Sequence, residues 1–273
     1  MKRWQAAVLG LVALFLAASP SGAAPAAEPA SLPIAEDHSL TGEQYVGLGV
    51  PASDRLWSAD DYQQATKVLQ KLLNEDPTKL PRLSSPRSGR LFSRLVSPEN
   101  LTLAESMGSG PGPRLQYLAA ELNPGVIEIL KIYMTATNQG TSFDAELAEV
   151  LLYVGIVADK TWDSMDIFKA ELDPGDPQYE VRMEGFETAR GGLALIVGGF
   201  LTTFTEKAVY RQEILVDLAK RLRPIFPRMV ARLSAESRLE IPIRLDGLVE
   251  AETEPELKAA LRALRASLDA PAR

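Results

Sequence analysis

The residues that decide the fold are Ser142 to Phe204, SFDAELAEVLLYVGIVADKTWDSMDIFKAELDPGDPQYEVRMEGFETARGGLALIVGGFLTTF. Phe143, Leu147, Val150, Val154, Ala158, Trp162, Met165 and Phe168 recur at steps of three or four, the period of one helix face. The spacing predicts a long helix from a Ser142 cap to about Leu172. Asp173-Pro174-Gly175-Asp176-Pro177 reads as a turn, with Asp176 capping a second helix and Pro177 at its start. Tyr179, Met183, Phe186, Leu193, Val197, Phe200 and Phe204 mark that helix's apolar face. Two long apolar helices joined by a short turn predict an antiparallel hairpin.

On either side the signals are shorter. Ser58 with Asp61 forms a capping box ahead of Tyr62, Ala65, Leu69 and Leu72, a helix to about Glu75 that Pro77 ends. Thr78 to Pro113 is rich in proline and glycine and reads as irregular. Asn123 and Pro124 open a buried helix. Glu206 to Leu222 continues as helix, and a short one reaches Leu233 after Pro224 and Pro227. Leu239, Ile241, Ile243 and Leu245 alternate with polar residues as in a strand, confined to an edge by Pro242. Tyr45 to Val50 is its candidate partner strand. Thr253 with Glu256 is a second capping box, before Leu257, Leu261, Leu264 and Leu268. The expected fold is mainly α: a single helical domain over 58–268 around the hairpin, with a minor two-stranded element, a loosely ordered segment over 24–57 and a tail over 269–273.

The N-terminus carries an address. Lys2 and Arg3 precede the apolar run Ala6 to Ala18, and small residues with proline follow to Ala27. That is the layout of a secretory signal peptide, 1–23, with cleavage after Ala23. A membrane span needs about 20 apolar residues, more than this run offers. Export to the periplasm of a bacterium is the expectation, with the medium as second choice.

Composition removes several chemistries. The chain of 273 residues has no cysteine and one histidine, and its net charge is -7. Without cysteine there are no disulfides, thiolate metal sites, cysteine nucleophiles or cysteine-linked lipid anchors. An acidic chain is a poor match for nucleic acid. The mature chain has no serine elbow, phosphate loop or dinucleotide fingerprint. His38, the only histidine, lies in the expected tail, and a Ser-His-Asp triad would have to recruit it from there. No cofactor or metal is expected.

Two features stand out as candidate sites. Gly185, Gly192 and Gly199 recur every seven residues on the second long helix, beside Gly191 and Gly198. Interior helix glycine costs roughly 1 kcal/mol each, so close helix packing or a groove for a hydrophobic ligand should offset it. Lys79, Arg82, Arg87, Arg90 and Arg94 lie in a stretch without acids, and arginine forks suit phosphate or carboxylate. The four arginines are candidate anion ligands, though residues 140–190 hold twelve acids and four bases and are the expected internal counterpart. Asp159, Asp163 and Asp166 share one helix face, as do Glu180, Glu184 and Glu187. Both read as solvated faces, because carboxylate-bridged metal bundles also need histidine.

The functional expectation is an exported, non-catalytic protein of the bacterial envelope that binds a protein partner, in a structural or adaptor role. The alternatives are a periplasmic carrier of a lipid or other hydrophobic ligand and, below it, a carboxylate-dependent hydrolase.

Overall fold

The structure is a computed structural model that describes residues 37–107 and 110–269. The expected signal peptide lies outside the described residues. Among the described residues there are eleven α-helices: α1 Gly42–Gly47, α2 Ala59–Glu75, α3 Gly89–Leu95, α4 Pro111–Gln116, α5 Asn123–Asn138, α6 Asp144–Ala170, α7 Tyr179–Thr203, α8 Gln212–Leu222, α9 Phe226–Ala231, α10 Ala235–Ala251 and α11 Pro255–Ser267. The protein is mainly helical, and among the described residues there is no strand. The chain falls into two compact units, Ser31–Val157 and a second that holds the residues from Ala158 on. The division lies within α6.

In the first unit α2 packs on α5. Ser58 and Asp61 form the expected capping box at the start of α2. The contact with α5 is close: a Cβ on Gly125 would lie 2.8 Å from Tyr62 Cβ. The segment expected to be loose is packed over 37–57, where Tyr45, Val50 and Trp57 are buried. Tyr45 to Val50 is not a strand: 45–47 is the end of α1, and Leu48 and Gly49 are a turn. Thr41 accepts from Gln44 N–H while Gln44 reaches back to Thr41 N–H, a capping box that outweighs the alternating pattern. Gly49, at φ 100°, then turns the chain.

Asn123 does not cap a new helix. The helix runs unbroken from α4 to α5 through a π-helical stretch, Tyr117–Leu122, and Asn123 itself is helical at φ -55° and ψ -41°. Pro124 explains the wide turn. It lacks an N–H, and its ring crowds the carbonyl four residues back, so the backbone opens one residue wider instead of stopping. On the π stretch, Tyr117 Oη accepts from Ala59 N–H at 3.2 Å and satisfies a free donor at the start of α2.

In the second unit α8 packs on α11, α10 on α11, and α7 on α9 and α10. Leu215, Leu218, Ala219 and Leu222 of α8 are buried, as are Leu257, Ala260, Leu261 and Leu264 of α11. The helix expected from Glu206 starts only at Gln212. The second expected capping box is also absent: α11 begins at Pro255, and Glu252 Oε1 accepts from the Thr253 and Glu254 N–H groups instead.

Residues 239–245 are the clearest correction. They are helical, inside α10, with Pro242 within the helix. Ser234 caps it, accepting from Ser237 N–H at 3.2 Å. Arginine, leucine and glutamate at 238–240 favour helix. In a helix, alternate residues lie about 200° apart, so the strand-like pattern splits into two pairs. Ile241 and Leu245 enter the core, while Leu239 and Ile243 face solvent.

Gly125→Ala is expected to lower stability by about 1–3 kcal/mol, because the added methyl meets Tyr62 at 2.8 Å. Gly191→Ala is expected to raise it by about 1 kcal/mol, because a Cβ there meets nothing within 4 Å. Urea unfolding midpoints of the two variants check the contrast.

Candidate functional site

The four arginines do not form one patch. The Arg82 guanidinium stacks 3.8 Å over the Phe143 ring and donates from Nη1 to the Ser142 carbonyl at 2.5 Å. Its Nη2 is buried without a hydrogen-bond partner among the described residues. Beside it, the buried Glu146 accepts from Leu83 N–H at 2.7 Å, and burial pushes that carboxyl above its usual range. Arg94 donates to the Ser53 carbonyl and to Glu99, at 3.2 Å each. Arg87 and Arg90 are exposed. The expected pairing with residues 140–190 is therefore confined, from this stretch, to Arg82 and Leu83 against Ser142 to Glu146.

Of the glycines, Gly185, Gly192 and Gly199 are buried on α7. Their two neighbours differ. Gly191 has open space beside it, and Gly198 has Arg244 Nη1 at 3.8 Å, an ordinary contact. Close packing is thus no reason for glycine at 191 or 198, and the seven-residue series alone keeps that reading.

The expected solvated face holds only in part: Asp166 is exposed and Asp163 half-buried, but Asp159 is buried. They are gripped by two arginines of the α9 region that the sequence did not single out. Arg232 donates from Nη1 to Asp159 at 2.7 Å, from Nη2 to Asp163 at 2.6 Å and from Nε to Asp166 at 3.0 Å. Arg228 Nη2 donates to Asp163 at 2.5 Å and lies 3.4 Å from Asp159. Arg190 Nε donates to the Arg232 carbonyl at 3.1 Å, fixing the backbone behind the fork. Arg228 and Arg232 share the i, i+4 spacing of Asp159 and Asp163, the one sequence signal that matches the two sets.

The electrostatics follow the burial. Asp159 is buried, which raises its carboxyl pKa despite both arginines. At Asp163 burial also opposes ionisation, but the hydrogen bonds from Arg232 and Arg228 prevail and hold its pKa below 3.8. Glu187 pairs with Arg190 at 2.5 Å, so the second acidic face is partly claimed as well. Among the described residues no group of three or more acids or histidines could hold a metal ion. No helix there is long and apolar enough to cross a membrane.

The first unit holds a second buried polar cluster. Asn100 Oδ1 accepts from Trp57 N–H at 2.9 Å, and its Nδ2 donates to Tyr62 Oη at 2.9 Å and the Arg94 carbonyl at 2.8 Å. Tyr62 donates to the Leu95 carbonyl at 2.7 Å and is hydrogen-bonded to Tyr153 Oη at 2.9 Å. Burial pushes both tyrosine hydroxyls far above their ordinary pKa. Asn100 opens an Asn-Leu-Thr acceptor pattern, but its side chain is sealed and spoken for. Near His38, the Asp37 carboxylate accepts from Ser39 Oγ at 2.5 Å and Ser85 Oγ at 2.6 Å, and Ser39 and Ser88 are fully buried. That is a structural serine cluster, with no exposed hydroxyl for a nucleophile. No known protein family, curated protein or solved structure matches the chain.

Arg232→Met is expected to cost about 3 kcal/mol, because it strips the nearly buried Asp159 of its best partner. Asp159→Asn in the same chain should recover part of the loss. Asp163, with its pKa lowered, adds stability above the unfolded value of about 3.9 that is lost as pH falls through its folded value. Asp163→Asn should therefore unfold at lower urea than the parent at pH 7, with the gap closing as the pH is taken below 3.

Proposed function

We propose that this is an exported helical protein of the bacterial cell envelope that acts by binding, as a structural or adaptor component, with no chemistry of its own. One observation carries the reading: the buried acids are committed to the fold. Asp61 is forked by Arg55 at 2.5 and 2.8 Å, and Glu146 is held by Leu83 N–H. Asp159 is held by Arg232, and Glu252 by Lys207 at 2.8 Å. A general acid or base must reach a substrate proton, and these are engaged and turned inward. The signal-like N-terminus supports export, to the periplasm in the first place.

A second reading keeps the carrier of a lipid or other hydrophobic ligand. Its support is the buried series Gly185, Gly192 and Gly199 on α7. In that reading α6 and α7 form a long antiparallel hairpin, in keeping with the Phe168 and Phe186 rings, whose centroids lie 6.3 Å apart. The seam between the two helices would take the apolar chain.

Native and denaturing mass spectra of the mature protein, purified without detergent, separate the two. Equal masses are expected, and crosslinking would then identify the protein partner. An excess present only in the native spectrum, and absent in a folded Gly192→Leu variant, establishes the carrier. A hydrolytic activity abolished by replacing one pair of acids overturns both.

A further inference from the structure

The solvent face of α10 has features that no other described residue of this chain packs against. Leu239 and Ile243, one turn apart, are 73% and 69% exposed, the two most exposed large apolar side chains among the described residues. Gly247 stands one turn further on the same side. A Cβ there would meet nothing within 4 Å, so no neighbour among the described residues requires the bare backbone. Helix-interior glycine weakens a helix and is retained where something approaches closely. Three residues at i, i+4 and i+8 thus make an apolar strip about 12 Å long, flat at one end.

The frame of the strip chooses its occupant. At 100° per residue, Glu236, Glu240, Asp246 and Glu250 fall on the same third of the helix as Leu239, Ile243 and Gly247, and no base falls there. Arg244 lies to the side. It reaches Glu240 only at 3.8 Å and turns its guanidinium toward Gly198 of α7. Arg265 holds Asp246 at 3.1 Å from α11. Glu236 and Glu250 remain exposed at the two ends.

A second copy laid antiparallel on this face would set Glu236 against Asp246 and Gly247, acid against acid. An anionic lipid surface is repelled by the same charges. A helix with leucine-type residues every three or four positions and lysine or arginine along their flanks satisfies the strip and its frame together.

We propose that the Leu239–Ile243–Gly247 strip of α10 is a docking site for a basic amphipathic helix of a partner protein. The inference rests on the binding reading above and gives it a surface and a partner chemistry.

The test uses the full mature chain and a fluorescein-labelled synthetic helix of leucine and lysine at that spacing. An otherwise identical peptide with glutamate for lysine, and one with serine for leucine, serve as controls. The leucine–lysine peptide is expected to bind, more weakly in high salt, and neither control to do so. Leu239→Ser with Ile243→Ser is expected to weaken binding at least about tenfold, with an unchanged circular dichroism spectrum. Glu236→Gln with Glu250→Gln should weaken it as well and flatten the salt dependence.

No binding by the parent, or equal binding by the Leu239→Ser/Ile243→Ser chain, overturns the proposal, the latter by showing attraction to an acidic protein at large. A dimer that dissociates in Leu239→Lys makes the occupant a second copy. Binding to phosphatidylglycerol vesicles that the same variant loses makes it a lipid surface, and either result overturns the proposal. A partner crosslinked elsewhere on the chain removes this surface and keeps the binding reading, whereas hydrolytic activity removes the reading itself.

Discussion

Helix α6 carries polar groups beside its apolar residues, and satisfying them is the constraint on which both units depend. A buried hydroxyl or carboxylate without a partner costs several kcal/mol, a large part of a domain's net stability. In the first unit the group is Tyr153, and the answer is Tyr62 with Asn100. That answer draws Tyr62 of α2 inward and draws in the Arg94 and Leu95 carbonyls at the end of α3. In the second unit the groups are Asp159, Asp163 and Asp166, and the answer is Arg232 with Arg228. Each cluster joins segments far apart in sequence, which apolar contact alone would hold without specifying which residues meet.

The two clusters use different chemistry for the same purpose. Tyrosine and asparagine are neutral, so the first network gains direction from hydrogen bonds without the cost of desolvating a charge. The second pairs full charges near the surface. Its arginine forks reach three carboxylates, and partial exposure of Asp163 and Asp166 lowers the desolvation cost. In a chain without cysteine, and with one histidine, such clusters are the means left for fixing long-range contacts.

Much of the fold was legible because its helices bury one face. The apolar steps from Phe143 to Met165 fall on buried residues, and α6 ends two residues before the turn predicted for it. Legibility failed where a local rule met a stronger competitor. Pro124 has the local signature of a helix start, but a widened turn costs less than a break when Tyr117 and Leu122, at the two ends of the π stretch, are buried. The candidate sites were half legible. The spacing of the aspartates was visible, but their arginines stand more than sixty residues away and only folding brings them together. The arginines at 82–94 share a charge and a stretch of sequence, yet Arg82 is spent on Phe143 and Ser142 and Arg94 on Ser53 and Glu99.

The failure at 239–245 teaches something different. Strict alternation is written for a strand, and a helix that adopts it gains packing from only one of its two apolar pairs. Ile241 and Leu245 are enough to anchor α10, and polar residues at 239 and 243 would serve this chain's own stability as well or better. Pro242 adds a lost backbone hydrogen bond and Gly247 a loss of helix propensity, both within the same two turns. The docking site proposed on α10 accounts for these four costs standing side by side on one element. The same is not true of α11, where the apolar residues Leu257, Leu261 and Leu264 all turn inward and no apolar pair is left in solvent. Set beside each other, the two helices show what packing alone asks of this unit and what α10 carries in addition.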